Sequence, residues 1–202
     1  MQNTTTSSTY RGYTINTGKD NNLPCNTKTL DQLTDSIEHM ISNHSKVLAV
    51  RLDIHSERDS ERTLTRRDIT RVIENTKRKI NTKFKSSKNK PDLKVIVATE
   101  QTSAEANPHY HAMIFANGNA IQNGHSICAE LNKQVKNKLD TDNDGLVHFS
   151  ESNGKAGIMI DRNSDDFEQQ KNNAVYAGSY LAKTRSKEHN PKGSRVSSSS
   201  RT

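Results

Sequence analysis

From Thr27 to His44 the apolar residues Leu30, Leu33, Ile37, Met40 and Ile41 recur at the spacing of one helical face, with Thr27 or Thr29 as the candidate cap. Residues 46–54, KVLAVRLDI, switch to a two-residue period and predict a buried strand. Val47, Ala49 and Arg51 share one face, and Leu48, Val50 and Leu52 the other. A second helix starts at Thr65 or Asp68 and runs to about Phe84, with Ile69, Val72, Ile73 and Ile80 as its apolar stripe. Lys94–Glu100 (KVIVATE) reads as a second buried strand, 101–107 as a polar turn and 108–116 as a third strand. A third helix fits Ser126–Leu139. An acidic turn at 140–145 and a strand pair or bent strand at 146–160 follow, and the last helix runs from about Asp165 to Lys187.

This order predicts one α+β domain over residues 27–188, with a single central antiparallel sheet and helices packed on one of its faces. Residues 1–26 are polar and predict a mostly irregular segment with room for one edge strand. Residues 189–202, rich in Ser, Arg and Lys, predict a disordered basic tail.

The formal net charge of +7 points to a polyanionic partner, with nucleic acid the first candidate. The second helix concentrates that charge on its polar face, in Arg66, Arg67, Arg71, Lys77 and Arg78, and Arg185 and Lys187 add to it at the end of the last helix. Such a face is either simply solvated or a track for DNA phosphates. Tryptophan is absent and aromatics make up 4%, which argues against a broad base-stacking platform. No apolar run is long enough to span a membrane, the first residues are not of secretory type, and Cys25 and Cys128 form no pattern; the expectation is a protein of the reducing cytoplasm. Neither repeats nor heptads support a structural role.

Candidate chemistry begins at NPHYHAMIF, 107–115. On a strand, His109 and His111 project to one face and form a pair of metal ligands, unless they are structural histidines. Glu100 closes the preceding strand and reaches the pair if the two strands are neighbours; Asp53 or Glu105 could serve instead. Two imidazoles and a carboxylate suit Mg²⁺ or Mn²⁺, and zinc accepts the same set. In AVYAGSYLAKTRSK, helical spacing puts Tyr176, Tyr180 and Lys183 on one face, as a core aromatic pair or as two phenols beside an ammonium. A phenol can attack phosphorus, and a neighbouring lysine favours phenolate and holds a phosphate oxygen. Residues 140–151, DTDNDGLVHFSE, match a calcium loop, but two glycines follow Glu151 and LVHFS alternates like a strand, so calcium is not expected there.

His109-Tyr110-His111 resembles the His-hydrophobe-His motif of the HUH endonucleases, and Tyr180-Leu181-Ala182-Lys183 their Tyr-x-x-Lys motif. Tyr176 gives the two-tyrosine version of rolling-circle initiators. HSKVLAVRLDI (44–54) and SYLAKTRSK (179–187) resemble replication proteins of filamentous-phage type and the YagK/YfjJ-like prophage group. The resemblance implies an HUH/RRM-like (ferredoxin-like) sheet and a DNA nickase that joins a tyrosine to a 5′-phosphate and frees a 3′-OH. It implies Tyr180 or Tyr176 as nucleophile, with Tyr180 slightly favoured, and Lys183 as phosphate- or metal-positioning residue. His109, His111 and Glu100 would hold a divalent ion. A single-stranded or hairpin DNA site is the expected substrate, with host helicase and polymerase as partners because the chain carries no helicase region. The alternatives are a free-standing nickase that attacks a competitor genome and an inactive origin- or RNA-binding module.

Overall fold

The computed structural model describes residues 3–56, 62–101, 103, 106–150 and 156–184, together with the backbone of 197–199. The first strands are short: β1 (Thr4–Thr5), β2 (Thr9–Tyr10), β3 (Tyr13–Thr14) and β4 (Cys25–Asn26). β2 and β3 form a hairpin whose two loop residues, Arg11 and Gly12, both have positive φ (49° and 83°), as a type I′ turn requires. Arg11 tolerates that geometry while its guanidinium pairs with Asp31 (2.9 Å) and Asp35 (2.6 Å). β1 pairs with β4, and Tyr13, Ile15 and Cys25 are buried. The N-terminal segment is thus more regular than its polar composition predicts, because a few apolar side chains tie it down.

Helix α1 (Thr27–Asn43) is capped by Asn26 rather than Thr27 or Thr29; Asn26 Oδ1 accepts from the Thr29 amide at 3.0 Å. β5 (Lys46–Ile54) leads to α2 (Arg66–Lys83), which starts with a capping box between Thr65 and Asp68. β6 (Lys94–Glu100), β7 (His109–Asn117), α3 (His125–Leu139), β8 (Val147–Phe149), β9 (Ile158–Asp161) and α4 (Phe167–Ser179) follow. In the antiparallel central sheet β6 pairs with β7 and β7 with β5. β9 and β8 lie one after the other along the far edge of β5. Backbone residues 197–199 form β10 against β6, so these three are a strand, not the disordered tail expected there.

Helices cover both faces of the sheet, not one. α2 and α3 pack on the face of Leu48, Val50, Leu52 and Ile54, with Ile69, Val72, Leu131 and Val135 in that core. α1 and α4 pack on the face of Val47, Ala49, Met113 and Phe115, with Leu33, Ile37, Met40 and Val175. The physical reason is that β5 and β7 are apolar on both sides, so a sheet covered on one side would leave several of these residues wet.

The last helix is shorter than its periodicity predicts. It stops at Ser179 and tightens into a 3₁₀ turn, Tyr180–Ala182. Ser179 Oγ donates to the Tyr176 carbonyl (2.7 Å) and accepts from the Asn16 amide (2.8 Å). The chain then joins the N-terminal segment: Lys183 bridges Cys25, and the Thr184 amide donates to the Pro24 carbonyl at 2.9 Å.

Candidate active site

On the α1/α4 side, three neighbouring strands change character at the same end. β5 runs from Val47 and Ala49 to Arg51 and Asp53, and then His55. β7 runs back from Phe115 and Met113 to His111 and His109, and β6 from Ile96 and Ala98 to Glu100. The register aligns them: Asp53 lies opposite His111, Glu100 opposite His109, and His148 of β8 opposite Asp53. A period of two in each strand and a fixed register gather these ionisable side chains on one face.

His111 is buried at the middle of this patch. Its Nδ1 lies 2.7 Å from Asp53 Oδ1 and its Nε2 lies 2.6 Å from Glu100 Oε2. Ionised carboxylates only accept, so two such partners favour the doubly protonated ring, in which both nitrogens donate. Burial alone would lower the pKa of His111, but the two carboxylates outweigh it and raise it. Burial likewise pushes Asp53 upward, and its bond to His111 overrides this and lowers it.

The 3₁₀ turn places Tyr180 over the patch. Its ring centroid is 5.2 Å from that of His111, in an edge-on arrangement. Arg51 Cζ lies 3.9 Å from the same centroid and Lys183 Nζ 4.5 Å. Arg51 Nε is buried and makes no hydrogen bond to the described residues. Burial, then the charge of Glu100, raises the pKa of Tyr180 despite Arg51. The side chain is therefore a phenol at neutral pH. Burial also lowers the pKa of Lys183.

Of the site residues read from the sequence, the fold gathers His111, Glu100, Tyr180 and Lys183, with Asp53 on the second nitrogen of His111. His109 stands at the rim, opposite Glu100, with its ring against His55. Tyr176 does not share a helical face with Lys183, because the helix ends between them, and it is 45% exposed. Among the described residues no three His, Cys, Asp or Glu side chains form a ready-made metal cage. Glu105, Arg185 and Lys187 lie outside the described residues. Sequence reading missed Arg51, His55 and His148 as parts of the patch. The alternation R-x-D-x-H at 51–55, continuing one face of a strand, was the available signal.

The basic helix is on the other side. α2 starts at the site end of the sheet, where the Tyr110 hydroxyl donates to the Leu64 carbonyl (2.8 Å), and runs along the opposite face. Arg67, Arg71 and Arg78 are exposed there, and Arg66 and Lys77 half-buried. The acidic turn 140–145 ties back to its surroundings through Asp140–Arg62 (2.7 Å) and Asp144–Lys136 (2.6 Å), and it enters strand β8 as LVHFS predicts; Glu151 lies outside the described residues.

The family model of the YagK/YfjJ C-terminal domain matches residues 5–196, nearly the whole chain. The chain belongs to the YagK/YfjJ C-terminal domain family. No curated protein and no solved structure matches it. In this YagK/YfjJ domain the matched region includes every residue of the patch. None of the described helices is long and apolar enough to cross a membrane.

Proposed function

We propose that this YagK/YfjJ domain is a metal-dependent DNA nickase of HUH type, with Tyr180 as the nucleophile. The observation that carries this reading is the position of Tyr180: its ring stands on His111 and between two cations, Arg51 and Lys183. A core aromatic needs no such neighbours. Tyr180 Oη attacks the phosphorus of a DNA strand, a P–O bond to tyrosine forms, and the P–O3′ bond breaks. The 3′ oxygen leaves and gains the proton that the phenol gives up. Arg51 and Lys183 hold the non-bridging oxygens and offset the charge that develops on them. The unsatisfied Nε of Arg51 is a donor free for this purpose.

His109, His111 and Glu100 would hold a divalent ion, Mg²⁺ or Mn²⁺. The donor types suit such an ion, and the register places His109 and His111 beside Glu100, but binding requires that His111 Nε2 give up its proton and part from Glu100 Oε2, which it now meets at 2.6 Å. Such an ion, when bound, polarises the scissile phosphate. Asp53 on Nδ1 then orients the His111 ring. Tyr176, exposed one turn earlier, is available for the second strand transfer. Initiation of rolling-circle replication of a phage or mobile element is the use that best suits a nick with a free 3′-OH; attack on a competitor genome uses the same chemistry. One observation favours a second reading, a DNA- or RNA-binding module without cleavage: both nitrogens of His111 are taken by carboxylates, which suits a structural histidine as well.

Labelled single-stranded oligonucleotides with Mn²⁺ separate these readings. The nickase forms a covalent protein–DNA adduct on a denaturing gel, and EDTA or replacement of His109 and His111 by Ala abolishes it. Cleavage at full rate in that double variant would refute the metal assignment.

A further inference from the structure

Beside this centre, three histidines meet at the edge of the sheet. His55 follows β5, His109 opens β7 and His148 is the middle residue of β8. The rings of His55 and His109 have centroids 4.5 Å apart at 71°, and those of His55 and His148 5.4 Å apart at 54°. The three line an open cleft of about 560 Å³ together with Ser56 and Asn143. No carboxylate bond engages His55 or His148 among the described residues, unlike His111.

We propose that His55, His109 and His148 form a transition-metal site, suited to Zn²⁺, Ni²⁺, Co²⁺ or Cu²⁺, which shares His109 with the Mg²⁺ or Mn²⁺ set above and therefore competes with it. Geometry supports it first. A metal–nitrogen bond of about 2.0–2.1 Å at tetrahedral angles puts ligand ring centroids roughly 5 Å apart, and the separations of His55 from His109 and from His148 bracket that value; His109 and His148, on strands either side of β5, have to lean together over His55. The backbone supplies the rigidity, since the three positions sit on, or directly after, three paired strands. As their side chains stand, the three do not form a metal-holding group, so binding requires them to re-orient. His χ2 is a broad torsion, and the exposed His109 and His148 are free to rotate. Chemistry supports it next. Three imidazoles without a carboxylate select borderline transition metals over Mg²⁺, which demands oxygen ligands. A fourth position stays open toward the cleft, as in metal sites that bind water or substrate.

Equilibrium dialysis of the full chain against Zn²⁺ tests this. One ion per chain is expected, with affinity falling at least tenfold in His148→Ala and in His55→Ala, and unchanged in Glu100→Gln. Circular dichroism of His148→Ala, an exposed position, checks that the fold is intact. Failure to retain Zn²⁺, retention indifferent to His148→Ala, or loss in Glu100→Gln would each overturn the proposal. Because His109 is common to both sets, His148 and Glu100 separate them: Zn²⁺ retention that falls in His148→Ala but not in Glu100→Gln, in a chain that never cleaves DNA, refutes only the nickase reading, and Mn²⁺-dependent cleavage without Zn²⁺ retention refutes only this proposal.

Discussion

His111 and Tyr180 show how much one residue's neighbours decide. On a strand with apolar partners burial would favour the neutral ring of His111; between Asp53 and Glu100 the protonated ring is favoured instead. Removing one carboxylate changes both its charge and its orientation. In Asp53→Asn the ring loses the acceptor that fixes it, and Mn²⁺ affinity in nicking assays is expected to fall by roughly 10–100-fold, the usual effect of losing such an orienting partner. An unchanged Mn²⁺ requirement would remove Asp53 from the centre. Arg51 makes a second case. Its flat guanidinium stacks on Tyr180 while Nε stays unpaired. Lysine cannot do both, so Arg51→Lys is expected to slow cleavage by about 10²-fold, as for loss of a preorganised donor. Single-turnover rates at saturating DNA measure this.

At the scale of elements, periodicity gave the helices and strands well where one face was buried, as in α1, α2, α3 and β5–β7. It failed at the end of α4. The apolar pattern continues past Ser179, and only contacts from residues 14–25, distant in the chain, turn the backbone into a 3₁₀ turn. That tertiary capture moves Tyr180 and Lys183 off the helical face that spacing assigned them, and brings Tyr180 onto His111 with Lys183 against the Tyr180 ring. It also leaves Tyr176 outside. Helix α2 carries a testable local device. Burial pushes the Asp68 carboxyl up, but Lys138 and Thr65 outweigh it and bring its pKa down to about 2, below the ordinary value of 3.8. Its contribution is therefore complete above about pH 4 and lost as pH falls toward 2. Asp68→Asn should lower stability at pH 7 and show a flatter acid limb in urea melts; the capping partner variant Thr65→Ala should cost about 1 kcal/mol. A parallel acid limb in Asp68→Asn would contradict the assignment.

Over the whole molecule, the sheet separates two features that the linear sequence runs together. The ionisable patch faces α1 and α4, whereas the basic stripe of α2 runs along the other side. The net charge of +7 was legible at once, but which side carries it depends on helices covering both faces. A strand held by α2 reaches Tyr180 only by passing the end of the sheet where α2 begins, near Arg66. Binding and cleavage should therefore separate. Neutralising Arg67, Arg71 and Arg78 is expected to weaken single-stranded DNA binding and to flatten its salt dependence by about 0.7 for each phosphate no longer neutralised, while the cleavage rate at saturating DNA is retained. An unaltered salt slope would show that α2 does not track phosphates.

The nickase reading turns on one bond, the one between DNA phosphorus and the tyrosine seated on His111. Peptide mapping of the adduct by mass spectrometry locates that bond, after cleavage of a single-stranded oligonucleotide with Mn²⁺ and nuclease trimming. The nucleotide remnant is expected on the peptide containing Tyr180, linked through its phenol, with the adduct absent in Tyr180→Phe and kept in Tyr176→Phe. A remnant on Tyr176, or cleavage with no protein-bound nucleotide, would contradict the role given to Tyr180.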